Sequence, residues 1–281
     1  MMRQASNRYS TSEAVGAVLS RIRDYWLWAA IIAVGALVFF GLPGGYAATS
    51  HALLHGLCAQ TPSHTISFGG EMLPFDARMT GIYGGFLVTM IAIVMKGTLF
   101  AYGNPPKRIV ALLSLFVVMM AVDGFNSLLT DLMLWHPYES GNGLRVVTGY
   151  GVGVSLAVAL SWLLASSAWN LGSPRVAVGR IRDLTVPITG LAGYGILLVA
   201  SPALLHLPVS TLLVLSAWLT VTMLVLVIVL LVLKLDGQIR QVRQLHVPVA
   251  ISALLAVTVM MALAGARFWA ERTFGISNAM M

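Results

Sequence analysis

Apolar runs of about 20 residues alternate along the chain with short breaks rich in proline, glycine or charge. That alternation predicts helices long enough to cross a hydrocarbon core at about 1.5 Å per residue. Seven runs have this form, at 25–47, 79–96, 109–133, 145–168, 185–205, 209–233 and 247–266. Asn104-Pro105-Pro106-Lys107-Arg108, His136-Pro137-Tyr138-Glu139, Gly172-Ser173-Pro174-Arg175 and Ser201-Pro202 are typical of the breaks between them. The pattern predicts an all-α, polytopic integral membrane bundle of about seven transmembrane helices.

The placement of Lys and Arg tests this count independently, because cytoplasmic loops collect basic residues. With the N-terminus cytoplasmic, thirteen of the 17 basic residues fall on the cytoplasmic side; only Arg78, Arg145, Arg267 and Arg272 fall on the other, where the C-terminus is also expected. Composition agrees: 58% of residues are hydrophobic and 10% charged, against about 25% charged in soluble domains. The expected partner is therefore a lipid bilayer. Basic loops beside anionic headgroups account for the net charge of +7 without a nucleic-acid partner. The first run has a long basic approach and an apolar core beyond the roughly 7–15 residues of a signal peptide, so it reads as an uncleaved anchor.

Chemistry is sought where polar groups interrupt the apolar runs, since an ionisable group within a span is costly and faces a cavity or a partner. Asp123 lies in the outer half of the third run, and Asn126, Ser127 and Thr130 follow on the same helical face at offsets of three, four and seven. Arg78 and Arg145 begin the second and fourth runs at similar depth, and each guanidinium could reach Asp123. Asp76, Asp131, Glu139 and Asn142 could join at the rim. The expected cluster of Arg78, Asp123, Asn126, Glu139, Asn142 and Arg145 has two readings, a helix-packing device or a ligand site. Gly81 with Gly85, and Gly149 with Gly153, are spaced by four and predict smooth strips for close backbone approach.

His51, His55 and Cys58 in "HALLHGLC" would share one face if the segment is helical, and two imidazoles with a thiolate are a candidate zinc or copper set. Gly56 weakens that helix, and ordinary hydrogen-bonded histidines at the interface are the preferred reading. No other cofactor is expected. Cys58 is the single cysteine, so no intrachain disulfide can form.

Cys58, Gln60 and Pro62, then Pro74, Ala77, Arg78, Thr80, Gly81, Ile82 and Tyr83, resemble the Cys-His-Gln-x-Pro and Cys-Ala-Arg-Cys-Thr-Gly-Ile-Tyr segments of a bacterial and archaeal membrane family, domain of unknown function 2085. Asp123-Gly124 resembles its aspartate-glycine helix motif. Glu139, Ser140, Asn142, Leu144, Arg145, Thr148 and Gly149 resemble its approach to the next helix. Ala59, Asp76 and Met79 stand where the family has histidine and two cysteines, so the cysteine motif is degenerate. The resemblance covers roughly residues 50–160 and implies a prokaryotic cytoplasmic (inner) membrane protein of unassigned activity.

The expected organisation is a polar cytoplasmic segment (1–24), a first transmembrane helix (25–47), a family-like core with an extracytoplasmic loop and helices two to four (48–168), and a C-terminal three-helix region (169–281). Three function classes follow. The first is binding or transport of a small polar or anionic ligand at the Arg/Asp cluster. The second is a non-catalytic subunit whose last three helices pack on membrane-protein partners. The third is an intramembrane enzyme with Asp123 and Glu139 as acid and base, although no nucleophile and base pair is evident.

Overall fold

The computed structural model describes residues 28, 29, 31–33, 35, 37, 45–168, 173–235, 237–239 and 241–275. The chain divides into two compact units, Met1–Ser50 and His51–Met281. The polar segment 1–24 and most of the first expected span lie outside the described residues; those described between 28 and 37 are helical. A ten-residue helix, α1, covers Gly45–Leu54.

The second unit holds a hairpin and six long helices. These are α2 (Ala77–Met95), α3 (Lys107–Asp131), α4 (Asn142–Ala168), α5 (Thr185–Ala200), α6 (His206–Val232) and α7 (His246–Phe274). Counting the leading 3₁₀ turns of α5, α6 and α7, these six among the described residues are long and apolar enough to cross a membrane. They coincide with the second to seventh apolar runs, with two shifts at the ends. Ser201, at φ 36°, stops α5 before Pro202, while α7 continues past 266 to Phe274.

Helices α5, α6 and α7 start alike. Each follows a 3₁₀ turn ending in leucine (Leu184, Leu205, Leu245) and carries proline at its third residue (Pro187, Pro208, Pro248). A first-turn N–H has no acceptor within the helix, so proline is tolerated there without loss of a bond.

The pairing of α2 with α4 is unusually close. A Cβ on Gly81 or Gly85 would collide with the carbonyl of Val146 or Tyr150, and one on Gly149 or Gly153 with the carbonyl of Arg78 or Ile82. Each helix thus presents its strip to the backbone of the other. Inter-helix hydroxyl bonds supplement the packing. Ser155 donates to the Leu113 carbonyl at 3.0 Å, Tyr194 to that of Thr80 at 2.9 Å, and Ser216 to that of Tyr83 at 2.7 Å. Between α2, α4 and α6 lies a core that includes Phe86, Met90, Leu160, Met223 and Leu230. Val118, Val122 and Phe125 of α3 point away from the protein, as an apolar surface does toward lipid.

The extended hairpin was not expected. Strands β1 (Thr65–Phe68) and β2 (Glu71–Asp76) pair antiparallel, with Phe68 opposite Glu71. Gly69 and Gly70 both take positive φ, 59° and 91°, the requirement of a two-residue turn that follows strand twist. The hairpin leads directly into α2. Asp76 accepts from the Met79 N–H at 2.9 Å, capping the helix.

Candidate functional site

The hairpin end of the bundle gathers the start of α2, the end of α3 and the start of α4. Asp123 is buried there, 1% exposed. Its Oδ2 accepts from Arg78 Nη2 at 2.7 Å, and its Oδ1 from the Tyr138 hydroxyl at 3.3 Å. Thr148 Oγ1 lies 3.3 Å from Oδ2, 3.0 Å from the Leu144 carbonyl and 3.3 Å from that of Arg145, so three acceptors compete for its single proton. The Arg78 side chain is 24% exposed and its Nε is buried without a partner. Gly124 lies alongside this guanidinium: a Cβ there would be 3.8 Å from Nη1, in ordinary contact.

Arg145 does not bond Asp123, contrary to the expectation that both arginines could. It sits one turn further along α3, donating from Nε and Nη2 to Ser127 Oγ (3.2 and 2.8 Å) and from Nη1 to Asn142 Oδ1 (3.0 Å). Its partners are neutral, although it is only 5% exposed. Asn126 is buried beside them. Its amide donates to the Tyr138 carbonyl at 2.7 Å and to Ser140 at 3.0 Å, leaving Oδ1 buried with no partner. Asn142 also donates to the Ser63 carbonyl at 3.2 Å.

Glu139 stands apart from the cluster. Its side chain is 86% exposed and bonds His136 at 3.0 Å, an exposed charge turned to a local partner rather than dehydrated. Asp123 and Glu139 therefore do not share a site as acid and base. Asp131 pairs with His64 at 3.5 Å, and Asp76 is spent as the cap of α2. The sequence pattern did not single out Tyr138 as a partner of Asp123, because a loop tyrosine carries no spacing signal toward a helix carboxylate. A groove of about 470 Å³ opens beside the cluster on α3, bounded by Asn126 and Tyr138 and walled by Val122, Phe125, Leu129 and Trp135.

His51, His55 and Cys58 do not form a metal set. Helix α1 ends at Leu54, and Gly56 lies flush on the backbone of Leu263 and Ala264; the His51 and His55 rings stack at 6.2 Å between centres. His55 is buried and spends both ring nitrogens, Nδ1 on Gln60 at 3.1 Å and Nε2 on Glu271 at 2.8 Å. It stacks on Phe268 at 4.2 Å between ring centres. Cys58 Sγ accepts from the Asp76 N–H at 3.3 Å, and burial, then the Asp76 charge, pushes its thiol up to about 12. Among the described residues, no group of three or more His, Cys, Asp or Glu side chains is placed to hold a metal ion. Arg267 closes the loop by donating to the carbonyls of His55, Cys58 and Ala59.

Comparison with known proteins places this site inside a recognised stretch. Residues 58–159 match the family described as "Predicted membrane protein (DUF2085)". An uncharacterised protein of the archaeon Methanothermobacter thermautotrophicus is 36% identical over 105 residues, a match that covers 36% of this chain and 82% of the archaeal one. No solved structure matches the chain. The matched stretch runs from Cys58 through the Arg78, Asp123 and Arg145 site into α4, and the chain belongs to this family of predicted membrane proteins, whose function is unknown.

Proposed function

We propose that this membrane protein binds a small oxyanion, a carboxylate or phosphate group, between Arg78 and Arg145 at the hairpin end of the bundle. One observation carries the reading. Of the two guanidiniums only Arg78 contacts a carboxylate, Asp123, while the more buried Arg145 is hydrogen-bonded by the neutral side chains of Ser127 and Asn142. A buried charge without a paired opposite charge is costly, and an oxyanion would reduce that cost. Arg78 has the exposure and the unused donor to take part, and a guanidinium fork suits two-oxygen recognition. On the orientation expected from the basic residues, this end faces the cell exterior, so the ligand would arrive from there or from the outer leaflet.

The test is titration of the full chain, in nanodiscs of neutral lipid, with inorganic phosphate and with acetate, followed by calorimetry. Arg145→Gln should weaken binding at least about tenfold, equivalent to about 1.4 kcal/mol, with helical circular dichroism unchanged. Arg272→Gln, at an exposed position of the same end, should leave it unaltered. Equal binding by the native chain and Arg145→Gln, or no binding of either anion by the native chain, would overturn the reading.

A further inference from the structure

The groove beside the anion site has a form that an inorganic anion alone does not require. Val118, Ala121, Val122, Phe125 and Leu129 line it from α3, and their helical spacing puts them on one face. Val118, Val122 and Phe125 are exposed, so in a bilayer the groove opens to lipid. Val118 and Leu129 lie about 16 Å apart along the helix axis, close to half of the roughly 30 Å hydrocarbon core. The groove therefore follows the hairpin-end half of α3 for the depth of one leaflet. Its other wall is the loop after α3, which folds back along the helix. The Leu134 N–H donates to the Leu129 carbonyl at 2.9 Å, and the Asn126 amide holds the Tyr138 carbonyl at 2.7 Å. Trp135, Pro137 and Tyr138 bound the groove from that side.

The polar residues of the groove are those that adjoin the anion site. Tyr138 donates its hydroxyl to Asp123, the carboxylate that also takes Arg78. Asn126 is followed directly by Ser127, which accepts from Arg145. The groove and both arginines thus meet across one turn of α3. Asn126 also has an unmet need, because its Oδ1 is buried with no partner. Turning the amide over would not meet it: the Tyr138 carbonyl can only accept, which fixes Nδ2 where it stands. A buried acceptor of this kind is costly until a donor reaches it.

We propose that the groove holds the acyl chain of a single-chain lipid whose headgroup carries a phosphate and a hydroxyl, as a monoacyl glycerophosphate does. The inference rests on the anion reading and adds the class of ligand to it. The phosphate lies at Arg78 and Arg145, the hydroxyl donates to Asn126 Oδ1, and the chain runs along α3 from Leu129 toward Val118. A phosphate monoester has three terminal oxygens, enough to serve Arg145 together with an Arg78 donor that Asp123 does not take. One stripe of side chains along one helix suits one chain rather than two. The groove's volume of about 470 Å³ is that of a site for a whole small molecule, within the usual range of about 300–1,000 Å³.

The test uses the full chain in nanodiscs of neutral lipid, photolabelled at low mole fraction with a monoacyl glycerophosphate that carries a diazirine in its chain. Peptide mass spectrometry should place the label within residues 118–138. Unlabelled monoacyl glycerophosphate should displace it at least about tenfold more effectively than the monoacylglycerol of the same chain, equivalent to about 1.4 kcal/mol. An alkyl phosphate, which lacks the hydroxyl, should fall between the two. In Arg145→Gln the advantage of the phosphate should shrink toward one. Ala121→Trp fills the groove from an exposed position of α3 and should abolish the labelling with helical circular dichroism unchanged. Val118→Trp replaces it should that variant not fold.

Equal displacement by the glycerophosphate and the monoacylglycerol would overturn the inference, as would label outside residues 118–138 or undiminished labelling of the folded tryptophan variant. An alkyl phosphate as effective as the glycerophosphate would overturn the hydroxyl contact to Asn126. Titration of the native chain with inorganic phosphate separates this inference from the reading beneath it. Phosphate binding together with equal displacement would remove the lipid and keep the anion site, whereas equal displacement without phosphate binding would remove both.

Discussion

Glycine does opposite things in the two halves of the bundle. In α2 and α4, within the family-matched stretch, Gly81, Gly85, Gly149 and Gly153 are pressed against the partner helix's backbone and leave no room for a methyl group. In α5 and α7, outside that stretch, Gly193, Gly195 and Gly265 have open space where a side chain would be, while Gly190 of α5 meets the side chains of Val88 and Tyr150 rather than backbone. Between helices of the first kind, the backbones themselves form the interface, so dispersion contacts arise from close approach rather than from interlocking side chains. The second half closes through larger groups: Trp218 of α6, for instance, donates to the Ala253 carbonyl of α7 at 3.0 Å. Lipid does not force apolar helices together as water does, so α2 and α4 need a smooth seam, and the buried Arg78–Asp123 pair lies at the end of that seam.

Replacing Gly149 and Gly153 together by leucine should break this contrast most severely. Each leucine would have to displace a carbonyl of α2, an overpacking that costs about 1–3 kcal/mol even where side chains can yield and more against backbone. The double variant should give no monodisperse folded protein in detergent, whereas Gly193→Leu and Gly265→Leu should elute as the native chain does.

The polar end of the seam comes next. Asp123→Ala leaves the Arg78 guanidinium without its carboxylate and Tyr138 without its acceptor. Breaking a largely buried pair by removing one partner costs on the order of 3–5 kcal/mol. The melting temperature should fall clearly, and Asp123→Asn should recover only part of the loss because the amide keeps an acceptor but not the charge. An unchanged melting temperature in Asp123→Ala would show that the seam holds without its ion pair.

The smallest effect should have the opposite sign. Gly193→Ala adds a methyl group in open space on α5 and removes the conformational cost of glycine within a helix, worth roughly 0.5–1 kcal/mol. Thermal unfolding should show a small stabilisation, set against destabilisation by Gly149→Ala at a pressed position.

The six described spans were legible because a run of about 20 apolar residues has few alternatives in a bilayer: every backbone group must find its partner within the segment. The end of α5 was less legible: Ser201-Pro202 marked a break, yet the apolar run was read on to 205, whereas the helix stops at Ala200. The hairpin carried a signal in Gly69-Gly70 between extended-prone residues, but its six-residue second strand contains Pro74 and feeds a helix, which obscured the two-residue period. At the site, helical spacing grouped Asp123, Asn126, Ser127 and Thr130 on one face; the first three are buried and Thr130 is half-buried. Spacing could not distinguish which arginine takes the carboxylate. Arg78 reaches it because Gly149 and Gly153 let α2 lie against α4, while Arg145, starting the next helix, meets Ser127 instead. Glu139 was expected to join at the rim but had His136 three residues away and solvent around it, and a local exposed pair is easier to form than a dehydrated one.

By itself, the sequence determined that this is a membrane protein of several apolar helices, and which helix faces carry charge or glycine. Those properties follow from the solvent the chain must satisfy and from the 3.6-residue period. Only the tertiary structure decided that Arg78, Tyr138 and Asp123 meet, that Arg145 is buried among neutral partners, and that His55 spends its two ring nitrogens on Gln60 and Glu271. Such meetings depend on how far helices slide and how loops fold back, quantities set by contacts between residues as far apart as His55 and Glu271 and absent from any local pattern.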